Sequence, residues 1–196
     1  MKRKIVNEDE EEQSKRECPN IRCVNNRIYF YDDVTESTCL DLVLLLSELI
    51  LESQKSALDQ GLDQPNPIFL HINSCGGSLL DSFAVIDTIK SSPVRIISIV
   101  EGHAASAATL ISVVCHERHI RPNALMLIHE LRAGNWGKFS DMEMEIQNLT
   151  DMMKTLSNIY KTHTKLTDKD LKQILHKDRY WNSAKCLEKG LVDKII

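Results

Sequence analysis

The sequence lacks any apolar run that approaches the ~20 residues a helix needs to cross a bilayer, so we expect no membrane-spanning segment. It also lacks an excess of basic residues. Its 24 Lys and Arg are outnumbered by 28 Asp and Glu, and the formal net charge of −4 argues against nucleic acid as the main partner. The first residues carry positive charge but no apolar core, which is not the pattern of a secretory signal.

The six cysteines show no spacing typical of a disulfide framework. Three of them lie within or beside apolar segments, and the full set is Cys18, Cys23, Cys39, Cys75, Cys115 and Cys186. Buried free thiols in a reducing compartment are the expected state, so the sequence predicts a cytoplasmic protein. Cys18 and Cys23 are close in sequence, but no second pair completes a zinc site. We therefore expect neither a metal nor another cofactor.

A length of 196 residues and an apolar content of 42% predict one domain with a sizeable core. Residues 1–26, with the acidic run Glu8–Glu12, are expected to form a flexible tail, and residues 27–196 the domain. Within the domain, β-branched runs such as Ile68–Ile72 alternate with segments of helical spacing such as Leu79–Ser91. This alternation predicts an α/β fold with a largely parallel sheet.

One stretch places a serine between a buried strand and a buried helix. The apolar run Val94–Val100 predicts the strand, and a second apolar run predicts a helix over residues 104–115. Ser106 is then expected in the first turn of that helix, where free N–H groups and the positive end of the helix dipole lie. Small residues on both sides would let other backbone approach its hydroxyl. These residues fit a nucleophilic serine and a helix-capping serine equally well.

A nucleophilic serine needs a base and an orienting carboxylate, and candidates for both follow Ser106. His129 ends the apolar strand predicted over residues 124–129, and Asp178 follows later in the chain. Other histidines compete with His129 for this role. His116 and His119 lie in a charged turn predicted over residues 115–119, where we expect them to be solvated, and His103 is only one helical turn from the serine. The sequence alone does not show that serine, histidine and aspartate meet.

A glycine pair after the strand Ile68–Ile72 provides a second candidate feature. Gly76 and Gly77 permit unusual backbone angles and close approach, so their N–H groups can point at an oxyanion on the attacked carbonyl. The alternative is an ordinary turn.

A long apolar stripe marks the helix predicted over residues 141–163. The pattern of Ser140 and Glu143 is that of a capping box, which predicts the start of this helix. The stripe consists of Met142, Ile146, Leu149, Met153, Leu156 and Tyr160. Such a stripe needs a partner surface, either within the domain or on another subunit.

Taken in order, these motifs resemble those of the ClpP family of serine peptidases. The resemblance covers about Arg27 to Ile196 and is carried by I-N-S-C-G-G (72–77), G-H-A-A-S (102–106), Pro122-Asn123 with Ile128-His129, the long helix, K-D-R-Y (177–180) and G-L-V-D (190–193). It implies that Ser106 is the nucleophile, His129 the base and Asp178 the orienting carboxylate. It also implies that the N–H groups of Gly77 and Ala107 form the oxyanion hole.

The same resemblance implies a ClpP/crotonase-like ββα superhelix with a protruding handle helix at about 141–163. The handle would join two heptameric rings into a tetradecamer with the active sites inside, which favours the subunit-contact interpretation of the stripe. Unfolded polypeptides and peptides would be the substrates, usually delivered by an AAA+ unfoldase.

Three features depart from the family pattern. Cys75 stands where the family usually has a proline, and the segment between Ser106 and Pro122 is slightly short. Residues 1–26 do not resemble the axial loop that contacts the unfoldase, so dependence on such a partner stays open. Two alternatives remain: a catalytically inactive structural ring subunit, and an acyl-CoA enzyme of the crotonase superfamily. The Ser, His and Asp set disfavours both, because neither requires it.

Overall fold

The computed structural model describes residues 21–134, 136–175 and 177–196, so the acidic run lies outside the described residues. The helices and strands follow in the order β1 (Ile21–Val24), β2 (Arg27–Phe30), α1 (Glu36–Gln60), β3 (Ile68–Ser74), α2 (Leu79–Ser91), β4 (Ile96–Ala105), α3 (Ala107–Val113), β5 (Glu117–Ile120), β6 (Leu125–Leu127), α4 (Phe139–His163), α5 (Asp168–Ile174), β7 (Trp181–Asn182), α6 (Ser183–Glu188) and β8 (Lys194–Ile195).

The described strands form one mixed sheet whose main path runs β1-β2-β3-β4-β5-β8. The first two strands are an antiparallel hairpin, and each later pair on this path is parallel. The predicted α/β fold with a largely parallel sheet is therefore confirmed. Ile21–Val24, which the sequence placed in the tail, belongs to this sheet.

Strand β4 divides between two neighbours, and this division positions the candidate site. Its residues Ile97–Val100 pair with β5, whereas its last three residues pair with β6. Ala105 lies opposite Leu127, so the segments that follow the two strands emerge side by side. The sequence predicted that this strand ends at Val100. It continues to Ala105 because its small residues allow neighbouring strands to pair closely on both sides.

The core lies between the sheet and helices α1, α2 and α3. Alternate residues of β3 are fully buried, namely Ile68, Leu70 and Ile72. Every residue of α3 is buried, which explains how so short a helix is stable: tertiary packing provides the stability that an isolated helix of this length lacks.

Strand β5 replaces the turn that the sequence predicted at residues 115–119. Its charged side chains have partners along the sheet instead of pointing into solvent. His119 bonds to the Glu117 carboxylate at 2.6 Å, and Arg118 forms an ion pair with Asp193 at 2.5 Å. The expectation that His119 is solvated is therefore wrong, since only 12% of its side chain is exposed.

Two helix ends also differ from the prediction. The broad apolar face of residues 35–51 predicts a helix that ends at residue 51, but helix α1 continues to Gln60, where Gly61 ends it in the left-handed conformation. Helix α4 begins after Lys138, whose N–H donates to the Asp141 carboxylate at 3.1 Å. The predicted capping box at Ser140 and Glu143 is wrong, because Asp141 supplies the reciprocal bond two residues earlier.

Candidate active site

Four of the five residues that the motifs single out line one pocket of about 450 Å³: Gly77, Ser106, Ala107 and His129. The pocket lies at the carboxyl ends of β3, β4 and β6, where parallel strands commonly present functional groups. Its far wall comes from α4, which contributes apolar side chains such as Met152 and Leu156. The arrangement combines an apolar wall with a few polar groups, as substrate pockets do.

Ser106 has an unusual backbone conformation, with φ 53° and ψ −127°. Only one other non-glycine residue in the described part of the chain, Asn25, has a positive φ. A residue held there costs of order 1–3 kcal/mol, a cost that proteins mostly accept at functional sites. The N–H of Ser106 donates to the Leu127 carbonyl at 2.8 Å, which ties this turn to the end of β6.

The hydroxyl of Ser106 is not used as a helix cap. Ser106 occupies the N-cap position of α3 and not its first turn, and its side chain makes no capping hydrogen bond within the described structure. The capping interpretation that the sequence left open is therefore wrong. The side chain lies in the pocket and is partly exposed, as a nucleophile requires.

Threonine and tyrosine hold the start of α3 from behind. The Thr109 hydroxyl donates to the Ser106 carbonyl at 2.6 Å. Since that proton is committed, Tyr160 of α4 donates its own hydroxyl proton to Thr109. Burial raises the pKa of Tyr160, which keeps it a protonated donor. The chain of bonds connects the serine turn to α4, and no sequence motif indicated it.

Two backbone N–H groups near Ser106 are available to bind an oxyanion. Val34 bonds to the chain on both sides of Gly77, through the Gly76 carbonyl at 2.8 Å and the Ser78 N–H at 2.7 Å. The N–H of Gly77 itself takes no part in this pairing with Val34. Ala107 is the first residue of α3, so its N–H has no partner inside the helix. Both groups line the same pocket as the serine.

The ring of His129 is oriented by the main chain. Its Nδ1 lies 2.6 Å from the carbonyl oxygen of Glu130. Because a carbonyl can only accept a hydrogen bond, Nδ1 carries the proton and Nε2 is left as the basic nitrogen. This is the tautomer that a general base for Ser106 would need.

Asp178 is the one candidate that the structure does not bring into the pocket. Its carboxylate forms an ion pair with Arg132, and the two side chains are 52% and 73% exposed. The position beside Nδ1 of His129, which an orienting carboxylate would occupy, is taken by the Glu130 carbonyl. Arg132 was missed by the sequence analysis, since no motif includes it.

Three further expectations concern metal ions, membrane-spanning helices and disulfides. Within the described ranges, no three side chains of the metal-binding types are grouped closely enough to hold an ion, and Cys18 lies outside these ranges. The same ranges contain no helix with the length and hydropathy of a bilayer span. All five described cysteines are free.

A family model described as Clp protease matches residues 24–196, nearly the whole of the described chain. The open α/β sheet with flanking helices is consistent with the fold of that family.

Proposed function

Because the chain belongs to the Clp protease family of peptidases, we propose that it is a serine endopeptidase that acts through Ser106, His129 and Asp178. The observation that carries this proposal is the Ser106 turn. It combines a strained positive φ, a hydroxyl that makes no capping hydrogen bond and a pocket shared with His129, whose Nδ1 lies against a backbone carbonyl.

In the proposed reaction the Ser106 hydroxyl attacks a peptide carbonyl while Nε2 of His129 takes its proton. The N–H groups of Gly77 and Ala107 stabilise the negative charge that develops on the carbonyl oxygen. His129 then gives the proton to the leaving amine, and the acyl group stays on the serine. Water, activated by the same histidine, releases it.

Asp178 has to leave Arg132 before it can orient His129. Exposed ion pairs of this kind stabilise a protein by only about 0–1 kcal/mol, so the exchange is inexpensive. The carboxylate would then replace the Glu130 carbonyl at Nδ1 and stabilise the imidazolium. We infer that the described conformation is a resting state and that assembly favours the aligned one.

Exposed apolar residues support the proposed assembly. On α4, Phe139 and Ile146 are 75% and 65% exposed, and on α1, Leu44 and Leu58 are 59% and 82% exposed. A ring requires two different complementary surfaces on each subunit, and stacked rings require a further one. Only the second half of α4 is packed within the domain, through Leu156 and Tyr160. We therefore propose heptameric rings, joined in pairs through the first half of α4.

Unfolded polypeptides and peptides are the proposed substrates. An AAA+ unfoldase is a candidate partner, but the departure of residues 1–26 from the family pattern leaves dependence on it open. A chamber explains how a peptidase with an open pocket spares folded proteins. Cytoplasmic localisation stays a prediction, supported by the free thiols.

Labelling with a serine-reactive fluorophosphonate tests the proposal. The wild-type protein should be labelled and should hydrolyse an unstructured peptide, whereas Ser106→Ala should do neither. Ser78→Ala is the matched control, because Ser78 lines the same pocket but its hydroxyl caps α2. Absence of labelling in the assembled wild type would overturn the peptidase.

Labelling, coenzyme A thioester binding and sedimentation together test the alternatives. The ion pair of Asp178 with Arg132 is the observation that favours an inactive ring subunit, which would assemble but resist labelling. Binding of a coenzyme A thioester would favour an acyl-CoA enzyme. Sedimentation should give a heptamer or larger, and a stable monomer at micromolar concentration would contradict the chamber.

A further inference from the structure

A second nucleophile lies in the wall of the same pocket. Cys75 follows β3 directly, its side chain is exposed, and it lines the pocket together with Ser106. Its Sγ is 3.2 Å from Nε2 of His103, a residue of β4. A nucleophilic atom and a base within hydrogen-bond reach are the pattern of an activated side chain.

The backbone around this pair holds it in place. The side-chain oxygen of Asn73 accepts the N–H of His103 at 3.1 Å, so the ends of β3 and β4 are joined beside the thiol. Gly102 packs directly against Asn73, since a Cβ there would lie 2.5 Å from the same oxygen. Gly76 packs just as closely against Ser106. The backbone positions of Cys75 and His103 relative to each other are therefore set by the ends of β3 and β4.

The other described cysteines have different surroundings. Cys39, Cys115 and Cys186 are buried, and burial raises the pKa of their thiols to about 11, about 12 and about 12. Cys23 is exposed, but its pKa is also raised, first by partial burial and then by the charges of Glu48 and Glu52. Among these five cysteines, only Cys75 has a histidine nitrogen as its hydrogen-bond partner.

We propose that Cys75 and His103 form a modification site for small disulfides, and that its occupation shuts the adjacent catalytic pocket. His103 accepts the thiol proton, and the Cys75 thiolate attacks one sulfur of the disulfide. The S–S bond of the reagent breaks, the new S–S bond forms on Cys75, and the leaving thiolate takes the proton from the imidazolium. A reducing thiol reverses the step.

Closure of the pocket follows from the position of Cys75. The residue is separated from Gly77 only by Gly76, and the N–H of Gly77 is one of the two proposed oxyanion donors. Because Cys75 borders the cavity of about 450 Å³ that the substrate would occupy, a group attached to its Sγ would take up space beside the proposed oxyanion donors. The chemistry at Cys75 does not depend on the proposed peptidase, whereas the effect on catalysis does.

The first arm of the test measures thiol chemistry alone. The full chain is treated with 2-hydroxyethyl disulfide at pH 7, quenched with acid, and analysed by peptide mass spectrometry. Cys75 should be modified about tenfold faster than Cys23, which serves as the control within the same chain. His103→Gln and His103→Asn, checked for native circular dichroism, should slow Cys75 about tenfold and leave Cys23 unchanged. Equal rates at Cys75 in the wild type and both variants would overturn the proposal.

The second arm measures peptide hydrolysis as a fraction of each protein's own untreated rate. Wild type and Cys23→Ser should lose activity as Cys75 is modified and regain it with dithiothreitol, whereas Cys75→Ser should keep its own rate. Full activity after complete modification of Cys75 would overturn the closure. A protein that hydrolyses no peptide before treatment would contradict the peptidase, and the rates of the first arm would still decide the modification site.

Discussion

Replacing Gly76 with alanine should disrupt the turn that holds Ser106. Gly76 has φ +87°, in the left-handed region that favours glycine. A Cβ at this position would lie 2.4 Å from the Ala105 carbonyl oxygen and 2.7 Å from the Cβ of Ser106. Neither atom belongs to a flexible side-chain end, so the contact can be relieved only by moving the backbone that carries Ser106.

Two energetic costs contribute to the expected loss of stability in Gly76→Ala. A positive φ costs an alanine about 1–2 kcal/mol. Overpacking against atoms that cannot swing away costs about 1–3 kcal/mol more. The free energy of unfolding should therefore fall by about 2–5 kcal/mol, out of a typical total of about 5–15 kcal/mol.

Gly61→Ala provides the control that separates these costs. Gly61 has φ +65°, yet no heavy atom lies within 4 Å of its ideal Cβ. This variant should lose only the conformational part, about 1–2 kcal/mol. Urea denaturation followed by circular dichroism measures both variants. In the folded proteins, fluorophosphonate labelling of Ser106 should slow in Gly76→Ala and remain at the wild-type rate in Gly61→Ala.

Equal losses of unfolding free energy in the two variants would refute the reasoning, because the close approach would then contribute nothing. Unchanged labelling in Gly76→Ala would refute the second part. It would mean that the position of the serine does not depend on its contact with the glycine.

Three further substitutions test single interactions. Arg132→Gln should alter the free energy of unfolding by less than about 1 kcal/mol, since its ion pair is exposed, yet speed labelling by releasing Asp178; an unchanged labelling rate would contradict this. Tyr160→Phe should lower the free energy of unfolding, measured by urea denaturation, by about 1–2 kcal/mol, because the buried Thr109 hydroxyl loses its hydrogen-bond donor. An unchanged free energy of unfolding would contradict this role of the tyrosine. Lys189 holds the pKa of Asp170 below its usual range, so this contribution to stability is present above about pH 4 and is lost as the pH falls. Asp170→Asn should therefore lose less stability than wild type between pH 5 and pH 3, and equal losses would contradict the linkage.

Local patterns in the sequence were sufficient for much of the fold. The alternation of strands and helices depends on residues that are close together in the chain, so the spacing of apolar residues revealed it. The glycine pair is likewise visible in the local sequence. Strand β3 and helix α2 lie almost where periodicity placed them. The same local logic led to the Ser106 turn, because small residues between two apolar runs mark a sharp connection.

Where charges are concerned, local patterns were misleading. Residues Glu117–Ile120 read as a solvated turn, because a run of charged side chains has no apolar period. They form a strand because Arg118 and His119 find partners across the sheet and along their own strand. Only the register of distant segments makes those partners available.

The sequence by itself determined most of the helices and strands, with β1 and β5 as exceptions, and which residues are candidates for acyl transfer. The tertiary structure alone decided which of those residues meet. It placed Ser106 and His129 in one pocket through the pairing of β4 with β6, joined Cys75 to His103 across β3 and β4, and paired Asp178 with Arg132. The physical reason is combinatorial: among 24 cationic and 28 anionic side chains, no local rule selects one pair, because the selection depends on three-dimensional register.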